Sequence, residues 1–378
     1  MKLEQLQWKN IDTGWETVKS ELNSSDSIQL VFVFGHPEFI KIPERYYELK
    51  SLYPKAHIIG GSTAGNILGA SISDNDIVAT AIHLEKSKVR VVCADIDNSK
   101  DIQSVTSALM KELIGSDLRH VFVLSDGIHF NGSELANGLN VLDNVVVTGG
   151  LAGDQGKFEK TYIMANNPAR SKSIVLVGFF GKNLHSGFGC YAGWGEFGPN
   201  RIITKAKGNV VYEIDNQPAL TLYKKYLGEF AKDLPASGLR FPLSIRHENE
   251  SHTLIRTLLA VNEQDQSLTF AGTIPEGSVS VLMRGNIDDL IDGAGKAAEQ
   301  ACPSVRERGL AVIISCVGRK LLMDQMIDEE LETVQDICGQ NIWMTGFYSN
   351  GELAPVNKNI KGCNLHNQTM TLMTIYED

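Results

Sequence analysis

Several chemistries are missing from this chain. None of its six cysteines (Cys93, Cys190, Cys302, Cys316, Cys338 and Cys363) forms a CxxC pair, so a zinc site has no support. Their scatter shows no disulfide-like spacing either, which points to a reducing, cytoplasmic setting. No glycine cluster ends in Gly-Lys-Ser/Thr, and GGSTAG opens no GxGxxG pattern, so phosphate-loop and dinucleotide sites drop out. Ser125-Asp126 lacks a GxSxG elbow. Basic residues are in deficit: 35 Lys and Arg against 45 Asp and Glu give a net charge of −10, which argues against a nucleic-acid or anionic-membrane partner. The longest uncharged run, Ile58 to Ser73, is rich in Gly, Ser and Asn and cannot cross a bilayer as a helix. The opening MKLEQLQWKN has no apolar stretch of the kind a signal peptide needs. What remains is a soluble protein whose 43% hydrophobic residues, over 378 positions, can bury a large core without staples.

The most informative stretch is VVVTGGLAGD, Val145 to Asp154. A β-branched apolar run suits a strand buried on both faces, and it ends in two glycines with a carboxylate close behind. Gly149 and Gly150 leave no side chain between backbone and ligand. The same design occurs in IIGGSTAGN, Ile58 to Asn66, and in WMTGFYSNGE, Trp343 to Glu352.

These stretches sit in a recurring order. Thr13 and Glu16 form a capping box, so a helix is expected with Trp15, Val18 and Leu22 on one face. Leu30 to Phe34 reads as a strand ending at Gly35-His36-Pro37, and Pro43 to Pro54 brackets a helix. Ile77 to His83 and Val89 to Ala94 read as a strand pair about the turn Glu85 to Lys88. The pattern then repeats: helix Ile102 to Leu113, strand Val121 to Leu124, a short helix Leu135 to Leu139, the central glycine loop, and a strand pair Lys160 to Ala165 and Ile174 to Phe180. A third, partial copy follows: helix Ile287 to Ala301, strand Leu310 to Ser315, helix Met326 to Ile337 and strand Ile342 to Thr345. Such self-similarity indicates internal duplication, or halves that converged on one layout. Between the copies, Gly187 to Pro199 reads as a crossover or lid. Val210 to Ile214 is a strand, Pro218 to Gly228 a helix, and Arg256 to Val261, Gln266 to Phe270 and Val279 to Arg284 are antiparallel strands. The tail, Thr369 to Tyr376, alternates like an edge or barrel strand. The fold class is α/β: duplicated mixed sheets flanked by helices, in two interlocked parts.

The succession GGSTAG, SDG, TGGLAGD, YEIDNQPALTLYKKYLGE, FPLSI, GFYSNGE and LHNQTMTL resembles the FIST family in its standalone two-part form. The resemblance implies a FIST N-like part over 27–205, a FIST C-like part over 206–358 and a terminal strand, 359–378, completing the fold. It further implies a bacterial sensory protein that binds a small ligand, with amino acids proposed, and acts on a separate partner such as a histidine kinase. A subset of similar proteins is described as nitric-oxide-sensing haem proteins in two-component systems, with output through cyclic-di-GMP or biofilm formation.

The residues themselves suit an amino-acid-like ligand. Amides at Gly60-Gly61 and Gly149-Gly150 can form an anion nest, and Arg319 can add a bidentate grip. Asp126, Asp154 or Glu352 can take an ammonium group. Ser62, Thr63, Ser125 and Asn350 supply neutral hydrogen bonds, and Tyr348 with Phe347 an apolar wall. Ligands of open α/β sheets sit beyond the carboxyl ends of strands, where all these residues fall. For haem, the candidate axial ligands are His36, His129, His185, His247 and Cys302. Two other classes compete. A hydrolase or transferase could use the strand-end loops, although His185 and Cys190 are near each other only in sequence. A ligand-free interaction module could pair through an exposed edge at Thr369 to Tyr376.

Overall fold

The structure, a computed structural model, describes every residue except 23, 97–100, 143, 248–251, 303–307 and 360–361. It is a mixed α/β fold in which one topological unit occurs three times. In the first unit Leu30–Gly35 runs parallel to His57–Ser62 and antiparallel to Ile77–His83. In the second, Leu118–Ser125 has the same relation to Val146–Leu151 and Ser173–Phe180. In the third, Gly309–Cys316 has it to Ile342–Ser349 and Met370–Glu377. Parallel neighbours need a crossover, and the helices Pro43–Leu52, Gly132–Leu139 and Ile327–Cys338 provide it.

The units are laced together cyclically. After its glycine strand each chain segment leaves its own sheet and pairs with another unit's glycine strand. Asn66–Leu68 joins Ile342–Ser349, Ile163–Ala165 joins His57–Ser62, and Gly351–Ala354 joins Val146–Leu151. Two expected hairpins are therefore not hairpins. Ile77–His83 and Lys88–Asp95 belong to different sheets, as do Ile163–Ala165 and Ser173–Phe180. Local turn chemistry does not reveal that a chain is changing sheets.

The three six-stranded sheets enclose one core. Phe32 meets Phe122 edge-on at 5.0 Å, and Phe34 stacks on Phe347 at 4.8 Å, so aromatic rings from all three sheets touch. The all-apolar faces of strands such as LVFVFG and SIVLVGFF are fully buried because the central core lies on one side and helices on the other. The helix Ile287–Ala301 packs with Ile327–Cys338 outside the third sheet. A separate nine-stranded sheet, residues 195–284, curls around the helix Ala219–Leu227, whose Leu220 and Tyr223 fill its interior.

The glycines act differently from the expectation. Gly60, Gly149 and Gly346 lie inside strands, not in loops, and occupy one equivalent position. A Cβ on any of them would overlap the carbonyl oxygen of the parallel neighbour, at Val33, Val123 or Ile313 respectively. Close strand approach, not a turn, is what requires glycine there.

Three further expectations are corrected. Trp15–Ser20 is an edge strand paired with Lys2–Trp8, not a helix. Asn10 accepts from the amides of Asp12 and Thr13 in the hairpin turn, so Thr13 caps nothing, and cross-strand pairing of WETVKS outweighs its helical pattern. The tail strand Met370–Glu377 is flanked on both sides, by Leu184–Tyr191 and Gly309–Cys316, so it offers no free edge to a partner. Cys302 and Cys338 form a disulfide joining the ends of the two outer helices. Their wide spacing in sequence, 36 residues, does not keep these two thiols apart in the fold. Among the described residues, no helix is long and apolar enough to cross a membrane.

Candidate functional site

The three strand ends meet at Gly153. A Cβ there would lie 2.6 Å from the Ala64 nitrogen and 3.0 Å from the carbonyl oxygen of Tyr348, so segments of all three units touch one residue. The contact is closed by main-chain hydrogen bonds: Ala64 N–H to Tyr348 O at 2.8 Å, Tyr348 N–H to Gly65 O at 2.8 Å and Gly153 N–H to Ser62 O at 2.9 Å. The strand ends thus meet, and at their centre the backbone groups engage one another.

Around this hub the first two units are polar but complete. Thr63 donates to Asn66 Oδ1 at 2.6 Å, and Asn66 donates to Asp76 Oδ1 at 2.6 Å and Asp76 O at 3.1 Å. Gln7 and Ser73 also donate to Asp76. In the second unit the buried Asp126 carboxylate accepts from the amides of Ile128, His129 and Lys172 and from the His129 ring. Burial would raise its pKa, but these donors outweigh burial and hold it below the usual carboxylate value. Asp154 accepts from the amides of Phe158, Glu159 and Lys160.

The third unit repeats the pattern with a different outcome. Ser349 donates to Glu352 Oε1 at 2.7 Å, as Thr63 does to Asn66. Thr369 donates to Glu352 Oε2 through its hydroxyl at 2.9 Å and its amide at 3.2 Å, from the place Asp76 holds in the first unit. Burial pushes the Glu352 carboxyl up to about 7, only partly offset by the Ser349 and Thr369 hydrogen bonds. Its neighbour across the strand pair, His366, is lowered to about 4 by burial and donates to Ala354 O.

Flanking Glu352 on both turns are polar atoms with no partner. Among the described residues, neither atom of the Asn350 amide, nor Asn367 Oδ1, nor Gln368 Oε1, has one. Asn367 and Gln368 are 1% and 0% exposed, so water does not compensate them. Gln368 also sits at φ 62°, a left-handed conformation uncommon for its side chain. Its side-chain amide donates to Leu239 O at 3.2 Å, and its main-chain carbonyl accepts from the Trp194 indole at 3.2 Å. Leu239 in turn lines a cleft of about 340 Å³. Trp194 lies in the glycine-rich stretch read as a lid. That stretch begins as the strand Leu184–Tyr191 packed on the helix Ile287–Ala301.

Other expected site residues are placed elsewhere. Gly60, Gly61, Gly149 and Gly150 lie within strands paired on both sides, so their backbones belong to the sheet ladders. Ser62 bridges Gly153 O and the Tyr162 amide, and Ser125 donates to Asp126 O. Arg319 is fully buried, with its guanidinium on Glu330 at 2.8 Å and on the carbonyls of Ala192 and Leu290. The Tyr348 hydroxyl joins the same Glu330 at 2.6 Å. Both side chains therefore face the outer helices. Glu352, with Asn350 in the bend just before its strand, is brought together with Thr369, and Asn367 and Gln368 precede Thr369 in the same turn; sequence reasoning did not select these last three. The signal available was the polar run Asn367-Gln368-Thr369 immediately before an apolar strand.

The haem candidates are held in other ways. Cys302 is in the disulfide. His36 caps the short helix Pro37–Ile40 through Nδ1, His129 is on Asp126, and His185 pairs with Asp378 at 2.6 Å while stacking on Tyr376. His247 borders a cleft of about 200 Å³ whose lining mixes Ser133, Asn137 and Arg256 with Ala136, Ile245, Leu254 and Leu365. Of the five candidates, Cys302 is barred as an axial ligand by its disulfide. Nor do His185 and Cys190 form a thiol–imidazole pair. Burial pushes the Cys190 thiol up to about 11, and it accepts from Thr371.

Comparison with known proteins agrees with this architecture. The FIST N domain model matches residues 29–217 and the FIST C domain model residues 219–355. An uncharacterized protein of Methanocaldococcus jannaschii is 25% identical over 336 residues, covering 81% of this chain and 63% of that relative's length. This chain is thus similar to somewhat under two thirds of the relative. From the two matched regions and the fold they span, the chain belongs to the FIST family, a family of sensory domains associated with signal transduction.

Proposed function

We propose that this protein is a non-catalytic sensor whose small-ligand site is the strand-end crevice of the third unit. The observation that carries this reading is the set of buried amide atoms of Asn350, Asn367 and Gln368, on the two turns that flank Glu352, that lack partners among the described residues. An orphaned buried polar group costs about 1–3 kcal/mol, so a chain keeps several in one place only where something else satisfies them. Two of the side chains present carbonyl oxygens and the third a whole amide, with a carboxyl between. That set suits a ligand rich in N–H donors with at least one acceptor, as an amino acid is. The groups recognise rather than transform, because the carboxyl is bound on both oxygens.

The ligand acts as a switch by favouring one conformation over another. The segment Ala192 to Trp194 is suited to report occupancy, since Trp194 is bonded to Gln368 and Arg319 to Ala192. Output runs through a separate signalling partner, such as a histidine kinase.

The test is the melting temperature of the full chain against each standard L-amino acid. At a hundred times Kd the bound protein gains about 2.7 kcal/mol. At least one amino acid is expected to raise Tm, and Asn350→Ala and Gln368→Asn to abolish the rise while melting near the parent. A panel with no effect, or a rise that survives both substitutions, contradicts the reading.

A further inference from the structure

A second feature lies outside the crevice, which it approaches at Leu239, the residue that accepts from the Gln368 side chain. Two adjoining clefts, of about 340 and 260 Å³, share Phe230, Arg240 and Leu322 and form one groove between the nine-stranded sheet and the third unit. Together they fall in the range of small-molecule sites, roughly 300–1,000 Å³. The groove's apolar surface includes Phe241, Ile287 and Leu321, and Phe230 and Leu321 remain 47% and 51% exposed beside it. Apolar side chains left this open on a chain of net charge −10 require an explanation.

The groove's charged side chains give one. Arg240 borders both clefts and has no ion pair or hydrogen-bond partner for its guanidinium among the described residues. Arg284 borders the second cleft, and its guanidinium lies over the Phe197 ring at 5.6 Å with no carboxylate on it among the described residues. Asp233 borders the first cleft without forming an ion pair with Arg240. The groove therefore carries a local cationic excess on an acidic protein, beside an apolar trough. Guanidinium groups bind planar or tetrahedral oxyanions by paired N–H donors.

We infer that the groove binds an amphiphilic oxyanion, its head on Arg240 and Arg284 and its apolar body along Phe230, Phe241 and Leu322. Carboxylates and phosphate monoesters share this chemistry, so calorimetric titration of the full chain uses decanoate and decyl phosphate, with decanol as the uncharged control. At least one of the two anions is expected to bind, and more tightly than decanol by about tenfold or more. Arg240→Ala with Arg284→Ala is expected to remove that preference, and Leu322→Glu to remove binding while circular dichroism stays that of the parent. Asn350→Ala is expected to leave the anion affinity unchanged, which separates this groove from the crevice. No binding of either anion, equal binding of decanol, or undiminished binding by the double arginine variant overturns the inference.

Discussion

The first and third units build their strand ends to the same plan and finish them differently. In both, a hydroxyl three residues upstream donates to a buried side chain: Thr63 to Asn66, and Ser349 to Glu352. In both, the residue just before the next antiparallel strand closes the lock. The first unit supplies Asp76, which Asn66, Gln7 and Ser73 saturate with donors. The third supplies Thr369 and leaves Asn350, Asn367 and Gln368 short of partners around a carboxyl held near neutrality. One scaffold position is thus structural in one copy and open to a ligand in another. Repetition of a fold does not imply repetition of its sites, because a site depends on which polar groups remain unpaired.

That contrast can be broken at its root. Gly60→Ala, Gly149→Ala and Gly346→Ala each drive a methyl into a neighbouring carbonyl, and each is expected to cost about 3 kcal/mol or more in urea unfolding, alike in all three units. Equal costs would show that the scaffold treats the three copies as equivalent, and a tolerated alanine in any one would break the symmetry.

Glu352 gives the next effect, and its sign is fixed. Its folded pKa, about 7, lies above the ordinary value of 4.5, so between these pH values the folded state holds the proton more tightly. Stability from this group is complete below pH 4.5, falls as pH rises toward 7, and stays low above it. The loss is at most about 3 kcal/mol, and the partial compensation by Ser349 and Thr369 is already inside it. Urea unfolding of Glu352→Gln across this range is expected to lack that fall. An identical pH profile for parent and variant would place the charge elsewhere.

Two smaller substitutions sharpen the comparison directly. Asn66→Ala removes the partner of Thr63 and Asp76 and is expected to cost about 2 kcal/mol. Asn350→Ala removes a side-chain amide with no partner among the described residues, and is expected to leave stability unchanged or raise it by about 1 kcal/mol. Chemical denaturation of the pair checks both. A large loss for Asn350→Ala would make that residue a structural member like Asn66.

Individual elements were legible in the sequence where periodicity and punctuation agreed. Ile77–His83, Val210–Ile214 and Ile287–Ala301 have the same bounds in the sequence reading and in the structure. Two repeats and a partial third could also be read. The cyclic lacing could not, because strands that follow one another with a turn between them look like hairpins whether or not they share a sheet. At the site, Asn350 and Glu352 could be found from their place after a glycine strand. Arg319 and Tyr348 sit at equally suggestive positions but turn to Glu330 on a helix that sequence spacing does not orient. Gln368 was hidden for the opposite reason. Its interest lies in an atom that lacks a partner, and only coordinates show what is missing.

The central claim is that the third strand end, unlike the first, receives a ligand. Side-chain amide NMR of Asn- and Gln-labelled protein tests it without prior choice of compound, using a pool of the standard L-amino acids. The account predicts that the Asn350 and Gln368 amide resonances shift on addition of the pool while that of Asn66 does not move. Unmoved Asn350 and Gln368 resonances, or equal movement at Asn66, would contradict it.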